Sequence, residues 1–180
     1  MCGFVGFGSI DKKCDINFLE RCAKELIHRG PDNNGIWISK EGNVGLAHQR
    51  LSILELSEKG NQPMSSLNGR YIIAFNGEIY NHLELRKKFN NSLHSYWNSD
   101  SDTETLIRCI EEWGLDNTLK EINGMFSFSL YDSLTKKIHL VRDRVGEKPL
   151  FYKIENKEIY FASELKALIC KKELPKKIDI

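Results

Sequence analysis

The chain has 180 residues, enough for one domain with a sizeable core. A net charge of +1, with 41% hydrophobic and 28% charged residues, is an ordinary globular composition. It supplies no field that would favour nucleic acid, a membrane surface or a polyanion. No apolar run approaches the ~20 residues of a membrane span, and the start lacks the basic and apolar regions of a signal peptide.

In chain order, Gly3 to Ile10 reads as a short, glycine-rich strand, a composition that marks close approach of another backbone or a ligand. From Ile16 to Ile27, Phe18, Leu19, Cys22, Ala23, Leu26 and Ile27 recur at helical spacing, and Gly30-Pro31 stops that helix. GIWISK and NVGLAHQRLSI flank a turn at Glu41-Gly42-Asn43 and predict a hairpin. RYIIAFN is a further strand, ending at Asn76-Gly77, a pair that favours a tight turn. Helices follow over Leu83 to Phe89 and from Asp102, where Leu106, Ile107, Ile110 and Trp113 share one side before Gly114. MFSFSLYD and KKIHLVRD form a hairpin turning near Asp132-Ser133, LFYKI and EIYFAS give two more strands, and a helix covers about Glu164 to Cys170. Strands that outnumber helices and come as hairpins predict an α+β fold with mostly antiparallel sheets covered by helices. The lysine-rich tail KKELPKKIDI reads as a boundary, placing a domain at 1–170 and the start of a linker at 171–180.

Five cysteines, an odd number without close spacing, argue for reduced thiols and a cytoplasmic setting. Cys22 and Cys109 lie in helical apolar stripes and read as small buried hydrophobes. No CxxC occurs and no histidine stands at ligand spacing, so no metal site is expected. Cys2 is different. Methionine before a small residue is a usual substrate for initiator removal, which would leave a thiol and a free α-amine on one residue. An α-amine titrates at about 7.7–8.0 and can act as a base for a neighbouring nucleophile.

Seven further segments accompany MCG in order: HRGPDNNG, AHQRLSI, FNGEIYN, SDTE, GMFSF, RDRVGEKPLFY and FASELKAL. Together they resemble the glutamine-hydrolysing domain of class II glutamine amidotransferases, and most closely that of glutamine-dependent asparagine synthetases. The resemblance implies the N-terminal-nucleophile hydrolase fold, an αββα sandwich of two mostly antiparallel sheets between helix layers. It implies a Cys2 thiol attacking the carboxamide of L-glutamine, with Asn76 and the Gly77 N–H as oxyanion donors. It maps Arg50 onto the α-carboxylate, Glu78 and Asp102 onto the α-ammonium, and Leu51 and Ile53 onto the lining of the site. Read alone, Asn76-Gly77 is a turn, Arg50 a strand-end charge and Asp102 a helix N-cap before TETLIRCI. His28 is expected to be structural, and Arg142, Asp143, Lys148 and Glu164 to form structural ion pairs. Phe4 and Gln49 depart from the usual residues of relatives, and Asp100 competes with Asp102 for the clamp position; SDTE favours Asp102.

Relatives of this type join the glutaminase to a domain in which ATP activates a carboxylate. Nothing in these 180 residues resembles its SGGxDS loop or a Walker loop. The domain itself therefore needs no cofactor; ATP and Mg are expected only for a synthetase domain or subunit, the expected partner besides glutamine. The oligomeric state is open, a homo-oligomer included. Other readings are the same glutaminase serving a sugar or cell-surface precursor, a silent domain regulating a synthetase, and a hydrolase of another amide.

Overall fold

A computed structural model describes residues 1–89 and 96–170. The expected linker at 171–180 lies outside the described residues. Sheet A has the order β2-β3-β1-β9-β8, from β1 (Gly3–Ser9), β2 (Asn33–Ile38), β3 (Val44–Arg50), β8 (Phe151–Glu155) and β9 (Glu158–Ala162). Sheet B has the order β4-β5-β6-β7, from β4 (Met64–Ser65), β5 (Tyr71–Ile79), β6 (Gly124–Asp132) and β7 (Lys137–Arg142). Every strand pairing is antiparallel.

The layers follow from the two-residue period of a strand. On β5, Tyr71, Ile73, Phe75 and Ile79 join a core with Leu106, Ile107 and Ile110, which lie on α3 (Asp102–Trp113). The alternate residues Ile72 and Ala74 join Phe4, Val44, Leu46, Tyr131 and Phe161 between the two sheets. On β1, Val5 and Phe7 face Leu19, Cys22 and Ala23 of α1 (Ile16–Lys24) and Ala167 and Leu168 of α5 (Leu165–Leu168). The result is helix, sheet, sheet, helix, and Cys22 and Cys109 are buried as small hydrophobes.

Several boundaries differ from the sequence reading. The first helix ends at Lys24, and Leu26, Ile27, Arg29 and Gly30 continue in tighter turns, each N–H reaching back three residues. Asn76-Gly77 does not turn; β5 runs on to Ile79, with Gly77 opposite Phe126. A Cβ on Gly77 would lie 2.2 Å from Met125 O, so glycine is required there by backbone proximity rather than by a turn. The helix expected at Leu83 to Phe89 is α2 (His82–Lys87). An unforeseen helix, α4 (Leu115–Glu121), starts directly at Gly114, whose φ of 78° ends α3 and redirects the chain. The N-cap of α3 is Ser101, whose side chain accepts the Thr103 N–H, and not Asp102, the first helical residue.

Candidate active site

β alternation also brings the polar residues together. Counting by twos from Phe4 gives Cys2, from Leu46 gives His48 and Arg50, and from Ala74 gives Asn76 and Glu78. All belong to the inter-sheet faces, and at one end of the sandwich Cys2, Arg50, Leu51, Ile53, Asn76, Gly77, Glu78 and Asp102 line one pocket. Every residue that the sequence assigned to the site is therefore present in it.

The Cys2 Sγ accepts the Leu51 N–H at 3.3 Å. Burial pushes the thiol above its ordinary value, opposed by the Leu51 N–H, the chain's N-terminal ammonium and the Arg50 guanidinium. Its carbonyl accepts Arg29 Nε at 2.9 Å, and Arg29 Nη1 pairs with Glu164 at 2.8 Å, as does His28 Nε2 at 2.9 Å. Arg29 was missed in the sequence because HRGPD reads as a helix stop; its place immediately before Gly30 was the available signal. His28 is confined to this surface network, as expected.

Arg50 is buried at the end of β3, where Nη1 donates to Ser57 O at 2.8 Å and Asn61 Oδ1 at 2.9 Å, and Nη2 to Glu55 O. Three of its five N–H groups are thus fixed by the loop that follows the strand. A Cβ on Gly60 would lie 2.3 Å from Nη2, so this loop closes tightly over the guanidinium. Asp32 Oδ2 accepts the Ser52 N–H at 2.8 Å and anchors the start of the same loop. Ile53 is largely exposed at the pocket mouth.

Asn76 is fully buried, and neither its Nδ2 nor its Oδ1 has a hydrogen-bond partner among the described residues. Asp102 Oδ2 accepts the Ile79 N–H at 2.9 Å. Burial pushes the Asp102 carboxyl up from 3.8 to about 6, against the backbone N–H groups of Ile79 and Thr103 and with the help of Glu78. Asp100, by contrast, has a side chain 93% exposed and does not line the pocket. Gln62 and Met125, both unassigned by sequence, also line the pocket. Gln62 Oε1 accepts the Phe75 N–H at 2.7 Å and so fixes the strand that carries Asn76.

The RDRVGEKPLFY segment contributes scaffolding of a different kind from the ion pairs expected of it. Asp143 accepts backbone N–H groups of Phe126, Val145, Glu147 and Lys148. Arg142 donates to the carbonyls of Lys148 and Gly146, and Lys148 Nζ lies 2.8 Å from Met125 Sδ. Among the described residues, the partners of Arg142 and Asp143 are backbone carbonyls and N–H groups of this tight loop and its neighbouring strand rather than opposite charges. Among the described residues, Glu164 alone of the four forms the expected ion pair, with Arg29, and it also faces His28 and Lys166. Among the described residues no group of three or more His, Cys, Asp or Glu could hold a metal, and no helix is long and apolar enough to cross a membrane.

Comparison with known proteins accords with this geometry. The chain matches the family described as "Glutamine amidotransferase domain" over residues 1–180. It is 38% identical to a putative glutamine-hydrolysing asparagine synthetase 2 of Methanocaldococcus jannaschii, covering 100% of this chain and 37% of that protein. It is 39% identical to asparagine synthetase B of Escherichia coli, covering 91% of this chain and 29% of that protein. The chain thus spans well under half the length of these relatives. The glutamine phosphoribosylpyrophosphate amidotransferase of B. subtilis superposes with a TM-score of 0.80 at 20% identity, covering 93% of this chain and 43% of that one, which shows the N-terminal-nucleophile amidotransferase fold. The chain belongs to the glutamine amidotransferase domain family and is homologous to the glutaminase portion of glutamine-hydrolysing asparagine synthetases.

Proposed function

We propose that this domain hydrolyses L-glutamine through a Cys2 thioester and supplies ammonia to an ATP-dependent synthetase domain or subunit that forms asparagine, in the cytoplasm. The observation that carries the reading is Asn76: a fully buried carboxamide with no hydrogen-bond partner among the described residues, on the wall of the pocket that holds Cys2 and Arg50. Leaving such a group unpaired costs about 1–3 kcal/mol, a cost removed when an oxyanion occupies the site.

With Met1 removed, the α-amine of Cys2 takes the thiol proton as Sγ attacks the glutamine carboxamide carbon. The tetrahedral oxyanion accepts hydrogen bonds from Asn76 Nδ2 and the Gly77 N–H. Collapse breaks the carbon–nitrogen bond, the proton passes from the α-ammonium to the leaving nitrogen, and ammonia departs. Water then cleaves the thioester to glutamate and restores the thiol. The N–H groups of Arg50 that the loop leaves unused grip the substrate α-carboxylate, and Glu78 and Asp102 receive its α-ammonium. No cofactor enters this half-reaction; ATP and Mg belong to the synthetase step.

Intact mass before and after treatment with a diazoketone analogue of glutamine tests the reading, with Cys2→Ala as control. Loss of Met1 and one Cys2-dependent adduct, blocked by glutamine, is the expected result. Retained Met1 with no protected labelling would overturn it.

A further inference from the structure

The grip on the α-ammonium depends on where Asp102 sits, and a residue outside the pocket fixes that position. Residues 96–101, which lead into α3, contain no helix or strand. Arg86, on α2 and buried, makes three bonds here, two to this segment and one to α3. Nη2 donates to Ser101 O at 2.8 Å, Nη1 to Ser99 O at 2.9 Å and Nε to Thr105 Oγ1 at 2.7 Å. The Ser101 carbonyl belongs to the peptide group that carries the Asp102 nitrogen. One end of the aspartate is therefore set by Arg86 and the other by the Ile79 N–H.

The surroundings reinforce this function. The Arg86 guanidinium lies 4.3 Å from the Trp97 ring centroid, and Arg108 lies 4.6 Å from the same ring. Glu104 accepts the N–H groups of Asn98 at 3.0 Å and Ser99 at 2.7 Å, and pairs with Arg108 at 2.7 Å. Burying a cation is costly, and an apolar side chain could fill the same volume. What the guanidinium adds is a planar fork with fixed donor directions.

We infer, on the glutaminase reading above, that Arg86 is a positioning residue for substrate recognition: it sets the Asp102 carboxylate against the α-ammonium of glutamine. Its influence is then specific to substrates that carry an α-ammonium. Glutaramate, which keeps the carboxylate and the carboxamide but lacks that group, separates this function from general support of the fold.

The test compares kcat and KM for L-glutamine and glutaramate in the purified protein and in Arg86→Gln, Arg86→Lys, Thr105→Val and Asp102→Asn variants. Where glutaramate turns over slowly, its inhibition constant against glutamine serves instead. Arg86→Gln is expected to raise the glutamine KM on the order of 10- to 100-fold, the effect of a displaced binding group. Glutaramate should change by less than about threefold, and so should glutamine when Arg86→Gln is added to Asp102→Asn. Arg86→Lys, a point charge without the fork, should lose part of the preference, and Thr105→Val should move it in the same direction. Equal losses on both substrates, or full additivity with Asp102→Asn, would overturn the inference. Should Arg86→Gln not fold, an unchanged preference in Thr105→Val and Arg86→Lys would do the same. A wild-type protein that releases no ammonia from glutamine, and whose Cys2 is not labelled, overturns the glutaminase reading itself, so the two failures are distinct.

Discussion

Replacing Asp102 by Asn should make the protein more stable and less able to bind glutamine. The carboxyl is raised from 3.8 to about 6, and desolvation is the largest cause. That is roughly two pH units, and at about 1.4 kcal/mol per unit the ionised group costs the fold on the order of 3 kcal/mol at neutral pH. Asparagine is nearly isosteric, its Oδ1 can still accept the Ile79 N–H, and it carries no charge to desolvate. The sign of the pH dependence follows. Below 3.8 the carboxyl is protonated in both folded and unfolded chains, so the penalty is absent. It grows as pH rises, because the unfolded chain ionises first, and is complete above about 6. Urea unfolding at pH 7.5 should therefore show Asp102→Asn stabilised by up to about 3 kcal/mol, falling to about 1 kcal/mol at pH 4.5. The glutamine KM should rise about 10- to 100-fold, as expected for losing a charged hydrogen-bond partner, and the wild-type KM should climb as pH falls through 6. A variant no more stable than wild type at pH 7.5 would refute the claim that burial dominates at this carboxylate. An unchanged KM would refute its place in the clamp.

Asn76→Ala should lower kcat by about 10²–10³ while Cys2 still reacts with the diazoketone, because a lost oxyanion donor leaves the nucleophile in place; steady-state ammonia release and intact mass check both halves. Gly60→Ala should raise the glutamine KM through displacement of the Arg50 guanidinium and also lower the thermal midpoint, since that group is buried and held by three hydrogen bonds. Gly77→Ala meets backbone instead, 2.2 Å from Met125 O, and should destabilise by about 1–3 kcal/mol or more in urea unfolding.

The fold was largely legible because its strands alternate clearly and their turns carry recognisable residues. The hairpin at Gly42, with φ of 75°, and the one at Asn156-Lys157, with φ of 49° and 63°, lie where the strand patterns place them. The misreadings have local causes. Asn-Gly is a turn pair only when nothing crosses it, and here β6 runs beside it. The helix α4 was hidden because Gly114, which reads as a stop, is a stop and a start together. Asp102 was read as a possible cap because Asp and Ser are equivalent in that role, and only the backbone shows which one occupies it. Arg86 had no signal at all, since a lysine- and arginine-rich helix end reads as solvated surface until the loop it holds is seen.

The site residues themselves were separated in sequence but joined by a rule simple enough to state. Arg50, Asn76 and Glu78 each continue the parity of an inter-sheet core residue on their own strand, Leu46 or Ala74, and Cys2, one residue before β1, continues that of Phe4. A strand face that is apolar in the middle of the sandwich becomes polar at one end, on both sheets, at the same end. A one-residue slip in β3 or β5 would turn Arg50 or Asn76 towards the helix layer and replace it with a neighbour of the wrong chemistry. The apolar core between the sheets therefore does more than hold them together. By fixing register on β1, β3 and β5, it fixes which way the thiol, the guanidinium and the carboxamide point. Asp102 is the exception, because it enters from a helix and has no sheet register to place it. A helix start delivered by an irregular loop needs ties of its own, and Ile79 and Arg86 are where the structure provides them.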